Sequence, residues 1–353
     1  MEVDIDEYKN NIIKIQKYVG EDVTLIPVIK ANGYGTFINH NKIINDFNIV
    51  AVALVDEGIV LRDNGYTGDI LVLNQPGIDE IDNIIKYNIT VGLSDLSFLD
   101  EMIRRDSTFH IHIEIDTGMG RTGIRDLELV NKIKNSNNII VDGIYTHLSS
   151  ADEDLEFTNN QLELFDKYVS DIKSIIPNIK YIHVSASNGI INYPKSYYNA
   201  VRVGIIMYGY ESFNGAFEKI DLKPICKLKS KITFLKEVAN NTPISYNHTF
   251  YTKKKSMIAT IPIGYADGLK RILSNKGNVV INNKICPIVG KVCMDSIMVD
   301  VSLVDNVKIN DVVYIWDNDL IKVEDIANDC STINYEIIST ISDRVPRIFI
   351  ERK

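Results

Sequence analysis

Eight short apolar runs rich in β-branched residues recur along the first two-thirds of this 353-residue chain, with helix-like segments between them. Because a strand of a parallel βα unit is buried on both faces, such continuous apolar runs predict parallel strands joined by helices. The simplest fold for eight of them is an α/β TIM-type (β/α)8 barrel. The predicted strands cover residues 23–30, 49–56, 69–75, 89–94, 109–116, 139–148, 181–187 and 200–209.

The last third of the chain has a different pattern. Beyond about Leu222, short strand-like runs are joined by turns, and no long amphipathic helix separates them. This pattern predicts a mostly antiparallel C-terminal β domain. The chain is also too long for one small core. We therefore expect a barrel over residues 1–223 and a β domain over residues 224–353.

The composition restricts the partners and the compartment. A formal net charge of −9 without a long basic run argues against nucleic acid or an anionic membrane surface as the main partner. The four cysteines lack CxxC spacing and lie in the last third, which fits a reducing cytosol. No apolar stretch approaches the ~20 residues of a membrane helix, and Met1 opens no signal-peptide pattern. We expect a cytoplasmic protein, or the cytosolic domain of a longer membrane-anchored one.

One lysine stands at the end of the first predicted strand. In TLIPVIKANGYG, Lys30 follows a buried apolar run and precedes a small-residue turn. Most strand-end lysines extend their amine into solvent, and the alternative is a lysine retained for chemistry. Further polar candidates stand at other strand ends, where the active sites of barrels form, and they favour chemistry for Lys30. These are Asp116 and Arg121 after the fifth strand, His147 ending the sixth, Ser187 ending the seventh and Gly204 in the eighth.

A lysine in this position can form a Schiff base with a carbonyl cofactor, of which pyridoxal 5'-phosphate (PLP) is the commonest. PLP also needs a phosphate site. The segments SASNG (185–189) and RVGI (202–205) each offer backbone N–H groups, and the first adds hydroxyls. Barrels often bind phosphate in the loops after strands seven and eight, which is where these segments lie.

Seven stretches of the chain match one family in the same order and cover nearly its whole length. On these motifs the chain resembles the alanine racemase family of fold-type III PLP enzymes. The resemblance implies a barrel followed by a C-terminal β domain, a small amino acid as substrate, and a homodimer whose active sites use residues of both subunits. The stretches are VIKANGYG, IDTGMGRTGI, GIYTHLSSADE, VRVGIIMYG, IPIGYADG, GKVCMDSIMVDV and TISDRVPRIF.

The resemblance implies two catalytic residues. Lys30 corresponds to the lysine that binds PLP covalently and acts as one acid/base group. Tyr265, in GYADG, corresponds to the opposite base, supplied by the β domain of the partner subunit. Racemisation needs such a pair because the α-proton leaves one face of the substrate and returns to the other. A tyrosine base needs positive charge nearby, which we expect His147 and Arg202 to supply together with hydrogen bonds.

The resemblance also implies the binding residues, and it implies no metal ion. Arg202 corresponds to an arginine that faces the pyridine nitrogen of PLP, where a group that keeps its own proton leaves that nitrogen unprotonated. Arg121 and the main chain of Met294 match the site for the substrate carboxylate. The remaining cofactor contacts implied are His147 and the phosphate-binding set Tyr34, Ser187, Gly204 and Ile205.

Two departures from the family pattern concern polar contacts. Many family members carry a carbamylated lysine two residues before the aspartate of DTGMGR, and Glu114 stands there in this chain. Since a glutamate is already a carboxylate, we expect Glu114 to orient Arg121 without carbamylation. The family's ANSA becomes SASN at 185–188, so that Ala186 removes one polar contact.

Asp343 is the third departure. It replaces the tyrosine of TISYRVPR, which in the family touches the phosphate and crowds the substrate side chain. An ionised carboxylate is expected to turn away from phosphate and toward the substrate side chain, where it can accept a hydrogen bond from a serine hydroxyl. A polar residue here resembles the VanT-type serine racemases of vancomycin resistance. We therefore expect a racemase domain of that type, acting on both serine and alanine and linked to D-serine supply.

Three alternatives stay open. An ordinary alanine racemase would supply D-alanine for peptidoglycan. A PLP-homeostasis protein shares the barrel and the lysine, but it lacks the second domain and its tyrosine. An amino-acid decarboxylase has a similar layout, although the motifs around Tyr265 and Arg202 fit a racemase better, and release of carbon dioxide would identify it.

Overall fold

The chain forms two compact units. The computed structural model describes residues 1–40, 42–211 and 219–352. The barrel unit comprises Asn10–Gly33 and Phe37–Lys223, and the β unit comprises Met1–Lys9, Tyr34–Thr36 and Pro224–Lys353. The two units thus separate near the residue that the sequence indicated, but two short N-terminal segments belong with the C-terminal part of the chain.

Eight parallel strands form the sheet of the barrel unit, as the sequence predicted. After strand β1 (Glu2–Asp4) of the other unit come β2 (Thr24–Pro27), β3 (Ile49–Val52), β4 (Asp69–Val72), β5 (Thr90–Leu93), β6 (Phe109–Glu114), β7 (Ile139–Tyr145), β8 (Tyr181–His183) and β9 (Ala200–Val203). They pair in the order β2-β9-β8-β7-β6-β5-β4-β3. A parallel bridge between Val28 and Ala51, with the N–H of Ile29 donating to Ala51 O at 2.9 Å, joins the two end strands into a nearly closed barrel.

The strands are shorter than the apolar runs that predicted them, and the remaining residues of each run form the βα loops. Lys30 and His147, predicted at strand ends, lie beyond the ends of β2 and β7. Ser187, also predicted at a strand end, begins a helix. Gly204, predicted inside the eighth strand, directly follows β9, and its ψ of −120° takes the chain out of the sheet.

Helices follow most of these strands. They are α1 (Ile5–Val19), α2 (Val55–Asp63), α3 (Ile81–Lys86), α4 (Leu96–Arg104), α5 (Glu128–Lys134), α6 (Leu155–Ile175) and α7 (Ser187–Asn192). The Asp154 side chain begins α6 by accepting a hydrogen bond from the N–H of Phe157 at 2.9 Å. Leu162 and Phe165 form the buried face of α6, whereas Leu155 is the exposed first residue of the helix.

The β unit is mostly antiparallel, as predicted, and three sets of paired strands build it. Its further strands are β10 (Cys226–Lys231), β11 (Phe234–Val238), β12 (Pro243–Ile244), β13 (Phe250–Tyr251), β14 (Ser256–Ile261), β15 (Asn278–Ile281), β16 (Lys284–Pro287), β17 (Ile297–Asp300), β18 (Val312–Trp316) and β19 (Ile348–Ile350), and its helices are α8 (Val323–Cys330) and α9 (Asn334–Ser339). The strand orders are β16-β15-β18-β10-β1-β19, β11-β14-β17 and β12-β13.

Long-range pairing assigns the first residues of the chain to the β unit. Strand β1 lies between β10, to which it is antiparallel, and β19, to which it is parallel. The terminal amine of Met1 also donates to Pro346 O at 2.7 Å. The four cysteines are free thiols. Within the described residues, no helix has both the length and the apolar character needed to cross a membrane.

Gly35→Ala is expected to destabilise the fold more than Gly65→Ala. Both glycines have left-handed φ values, +77° and +87°, so either alanine costs about 1 kcal/mol for its conformation. A Cβ on Gly35 would also lie 2.3 Å from Ile338 O, whereas one on Gly65 meets no atom within 4 Å. We expect about 2–4 kcal/mol lost for Gly35→Ala against about 1 for Gly65→Ala in urea unfolding. Equal losses would contradict the steric argument.

Candidate functional site

The chain after Lys30 forms a turn of left-handed residues. Positions 31–35 all have positive φ, between 52° and 77°. Outside the two glycines this conformation costs roughly 1–2 kcal/mol for most residues. Such strain persists only where neighbouring contacts hold it, and it concentrates at functional sites. The sequence analysis predicted a small-residue turn here, but not its left-handed backbone conformation.

Glu57 holds this turn. Its Oε1 accepts a hydrogen bond from the N–H of Ala31 (2.5 Å), and its Oε2 accepts one from the N–H of Ala53 (2.7 Å). Glu57 therefore ties the turn after Lys30 to the loop after β3. The sequence analysis missed it because a glutamate in the first turn of a helix is usually a capping residue.

Lys30 is a partly buried lysine with an altered basicity. Burial lowers the pKa of its amine, and the positive charges of Arg121 and Arg202 lower it further, while Glu57 opposes the shift. A lowered pKa increases the neutral fraction of the amine near pH 7, which is the form that accepts a proton or attacks a carbonyl. The environment of Lys30 thus supports the chemical role rather than that of a solvent-exposed lysine.

The Arg202 guanidinium is fully buried at the end of β9. It donates to the carbonyl oxygens of Thr146 (2.8 Å), Val184 (2.8 Å) and His183 (3.1 Å) and to Nδ1 of His183 (2.7 Å). Burial lowers its pKa to about 10, so that it remains protonated at neutral pH. Within the described part of the chain its Nε–H has no acceptor, and this donor remains for a bound group.

His147 supplies hydrogen bonding and not the positive charge that the sequence analysis expected. Burial, followed by the charges of Arg202 and Arg121, lowers the pKa of its imidazole to about 3, so that the ring is neutral at physiological pH. Its Nδ1 lies 3.1 Å from Nη2 of Arg202 and accepts from it. The proton of the neutral ring is therefore on Nε2, which is a donor.

Two further buried histidines lie beside Arg202. Nδ1 of His183 accepts from Arg202, and its Nε2 lies 2.8 Å from Nδ1 of His112. The Tyr145 ring stacks on His183 at a centroid distance of 5.0 Å. Burial and Arg202 lower the pKa of His112 to about 3, which makes it a neutral acceptor. The two neutral imidazoles hold the guanidinium in place. Sequence reasoning missed them because no local pattern shows which strands are neighbours in the sheet.

The predicted phosphate-binding residues fall into two places. Ser187 opens α7, and Gly204 and Ile205 open the short helix after β9. N–H groups in a first helical turn have no intrahelical acceptor, so that they are available to an anion. Tyr34 belongs to the β unit, where its buried ring lies 6.1 Å from that of Tyr335.

Glu114 ends β6, and one oxygen of its carboxylate is unsatisfied. The residue is 3% exposed, and its Oε2 has no hydrogen-bond partner. Burial raises the pKa of this carboxyl, although Thr122 and the charge of Arg121 partly oppose the shift. Arg121 is exposed, and in the described residues it makes no ion pair with Glu114 within 4 Å. The expectation that Glu114 orients Arg121 therefore stays a prediction.

Asp116, a sequence candidate, holds the loop that carries Arg121. Its Oδ1 accepts from the N–H groups of Gly118 and Gly120, both at 3.0 Å, and its Oδ2 accepts from Nη2 of Arg125 at 2.7 Å. Burial opposes ionisation, but these hydrogen bonds lower the pKa of Asp116 overall. Asp116 is therefore a structural residue of the loop.

Tyr265, Met294 and Asp343 form a second group, in the β unit. Tyr265 is 42% exposed and Met294 is 52% exposed. The N–H of Tyr265 donates to Cys293 O (3.0 Å), and the N–H of Ala266 donates to Met294 O (3.0 Å). Asp343 is exposed, and in the described part of the chain its carboxylate has no ion pair within 4 Å.

Tyr246 is an exposed tyrosine on a strained turn that sequence reasoning missed. Its side chain is 68% exposed. Ser245 before it has φ of 66° and ψ of −174°, a region essentially restricted to glycine, and Asn247 after it has φ of 58°. Short SYNHTF-type loops carry no periodic signal, so that only the backbone angles reveal the strain.

This turn joins the segment that carries Met294. The hydroxyl of Ser245 donates to Lys291 O at 2.7 Å and lies 3.6 Å from Sγ of Cys293. Cys293 also accepts the N–H of Tyr265. Two exposed tyrosines, Tyr246 and Tyr265, are thus anchored to the same segment of the β unit.

Glu114→Gln is expected to stabilise the protein at neutral pH. When a carboxyl has a higher pKa in the folded state than in the unfolded state, the protein loses stability as the pH rises from the unfolded pKa through the folded pKa. The amide carries no such cost, so we expect a Tm about 2–4 °C above wild type at pH 7–8 and a difference that shrinks toward pH 4. Exposed Glu163→Gln is the control. A Tm difference independent of pH would contradict the assignment.

The chain matches two family models: the alanine racemase N-terminal domain over residues 3–212 and the alanine racemase C-terminal domain over residues 225–349. An alanine racemase of Methanococcus maripaludis is 39% identical over 99% of this chain and 98% of its own length. Alanine racemase 2 of Caldanaerobacter subterraneus is 37% identical over 100% and 95%.

Solved structures agree with these relatives. The alanine racemase of Clostridium difficile 630 superposes with a TM-score of 0.94 at 35% identity, covering 99% of this chain and 94% of that one. The alanine racemase of Bacillus anthracis with bound L-Ala-P gives 0.92 at 34%, with the same coverage of 99% and 94%. The two family models together match nearly the whole chain, and relatives at 35–39% identity cover it almost completely. The chain therefore belongs to the alanine racemase family.

Proposed function

We propose that this protein is a PLP-dependent alanine racemase that interconverts L-alanine and D-alanine. The observation that carries the proposal is the partly buried Lys30, whose amine has a lowered pKa at the C-terminal end of the barrel. The two relatives named above are alanine racemases, and they support alanine as the substrate better than serine. D-Alanine for peptidoglycan is the corresponding product.

The residues of the barrel unit fit the cofactor on which the family depends. Lys30 offers an amine for covalent attachment, and Arg202 offers its free Nε–H to a ring nitrogen. The N–H groups of Ser187, Gly204 and Ile205 offer donors to a phosphate. When bound, PLP withdraws electrons from the Cα–H bond of the attached amino acid.

Arg202 is suited to a neutral ring nitrogen because it cannot readily give up its proton. Five contacts with the protein hold its guanidinium, and the buried histidines beside it are neutral. No described side chain next to it supplies a proton to such a nitrogen. We infer that Arg202 donates a hydrogen bond and keeps its charge, which limits the reaction to removal and return of the α-proton.

The proton moves between two groups on opposite faces of the substrate. Lys30 Nζ serves one face. A tyrosine of the β unit, from the partner subunit of a homodimer, serves the other. Tyr265 is the sequence-based candidate, and Tyr246 is the candidate that the strained backbone favours, because strain of this kind is retained where it positions a functional group. Arg121 and the main chain of Met294 bind the substrate carboxylate.

Asp343 supports a finer proposal, activity on serine in addition to alanine. Its exposed carboxylate remains available to accept a hydrogen bond. A site that hydrogen-bonds a substrate hydroxyl discriminates strongly against a substrate that lacks the hydroxyl. The VanT-type assignment and the link to vancomycin resistance rest on this one residue. The comparisons do not support them.

Lys30→Ala should abolish both cofactor retention and racemisation. We expect a loss of at least about 10³-fold in L-alanine racemisation, because the variant lacks the amine that moves the proton. Mass spectrometry after borohydride reduction should find PLP on the wild-type peptide around Lys30 and none on the variant. PLP found on a different lysine of the wild-type protein would contradict the assignment.

Tyr246→Phe and Tyr265→Phe separate the two candidate bases. Removal of the phenolic proton acceptor should lower kcat for alanine by roughly 10²–10⁴-fold at the catalytic tyrosine and by less than about tenfold at the other. We expect the large loss at Tyr246. A large loss at Tyr265 alone would assign the base to Tyr265, and small losses at both would exclude a tyrosine base.

Asp343→Tyr tests the serine proposal. The substitution removes the acceptor and adds bulk, so the ratio of kcat/KM for L-serine to that for L-alanine should fall about tenfold or more. Asp343→Asn is the matched control, because it keeps the size and an acceptor oxygen. An unchanged ratio in Asp343→Tyr would remove Asp343 from the specificity argument.

A further inference from the structure

Arg344 bridges two aspartates of the β unit. Its Nη2 donates to Asp295 Oδ1 at 2.8 Å, and its Nε lies 3.5 Å from Asp267 Oδ1. The planar guanidinium presents several donors in a fixed arrangement, which the single ammonium of a lysine cannot reproduce. Arg344 therefore fixes the distance between two carboxylates that lie far apart in the sequence.

The bridged aspartates lie in the segments that carry the candidate residues. Asp295 directly follows Met294, and Asp267 is two residues after Tyr265. The Oδ2 of Asp267 accepts the N–H of Gly264 at 2.8 Å, and this bond closes the turn around Tyr265. Arg344 itself directly follows Asp343. One guanidinium thus connects the three segments of Tyr265, Met294 and Asp343.

Backbone contacts make this connection tight. A Cβ on Gly264 would lie 2.3 Å from both Cys293 O and Met294 O. The N–H of Ser342 donates to Asp267 O at 3.1 Å. A shift of one segment is therefore transmitted directly to the others, because no space separates them.

Arg347 holds the other side of the loop. Its guanidinium donates to the carbonyl oxygens of Gly35 (2.9 Å), Ile341 (2.7 Å), Ser342 (2.7 Å) and Val345 (2.6 Å). With this end of the loop fixed, the ion pairs of Arg344 decide where Asp343 lies relative to Met294.

We propose that Arg344 is a positioning residue that sets the relative placement of Tyr265, Met294 and Asp343, and thereby the affinity for the amino-acid substrate. The proposal rests on the proposed function, since these residues form its substrate side. The Arg344 side chain is 54% exposed, so its ion pairs add little to global stability. Without the two guanidinium contacts, the segments of Asp267 and Asp295 are no longer tied together, and the groups that bind the substrate carboxylate lose their placement.

The test compares Arg344→Lys with Arg352→Lys. Arg352 is the matched control because its Nη2 makes an exposed ion pair with Asp4 at 2.9 Å in the same unit. For Arg344→Lys we expect KM for L-alanine to rise about tenfold, with kcat within about threefold and Tm nearly unchanged. Asp295→Asn should raise KM similarly, and the double variant should be no worse than either single variant.

Hydrogen exchange gives a readout independent of activity. The amides of Tyr265 and Ala266 bond to Cys293 O and Met294 O, so they should exchange at least about fivefold faster in Arg344→Lys than in wild type or Arg352→Lys. Unchanged exchange in these amides would overturn the proposal. If the wild-type protein is inactive but the amides exchange faster in Arg344→Lys, the proposed function alone is overturned. If the wild-type protein is a racemase and KM is unchanged in Arg344→Lys, the positioning role alone is overturned.

Discussion

The burial of the Arg202 guanidinium is the constraint on which the barrel site depends. A buried charge is tolerated only when its donors are satisfied, and here three backbone carbonyls and two imidazoles accept from it. Its charge in turn helps to keep the neighbouring histidines neutral and contributes to the lowered pKa of Lys30. Burial is the main cause of these pKa shifts, and the charge of Arg202 reinforces them. Its Nε–H is left for a bound ring.

Backbone strain stands at two places that carry the proposed chemistry. In the barrel, the left-handed turn after Lys30 is held by Glu57 and fixes the direction in which the chain leaves β2. In the β unit, the strained Ser245 presents Tyr246. Neither conformation is the lowest for its residues, so the surrounding hydrogen bonds must compensate for it. Both strained turns thus adjoin the residues proposed to transfer the proton, Lys30 and Tyr246.

Local sequence patterns predicted the architecture, whereas contacts between residues far apart in the sequence are visible only in the structure. The apolar runs identified all eight barrel strands. Lys30 and Arg121 lie beyond the ends of β2 and β6, and Arg202 lies in β9. A three-residue strand such as β1 gives no local signal, so its pairing with β10 and β19 was missed. The neutral state of His147 follows from burial, and the strain at Ser245 follows from backbone angles. Neither can be deduced from residue type.

The most direct test of the account is racemisation of L-alanine in D2O by the PLP-loaded protein, followed by chiral separation and mass spectrometry. Two groups on opposite faces, each exchanging its proton with solvent, predict that the D-alanine formed carries deuterium at Cα. They also predict that the mixture approaches equal amounts of both enantiomers. D-Alanine that retains the original hydrogen would show transfer by one group and contradict the two-base mechanism. Absence of D-alanine would contradict the proposed function itself.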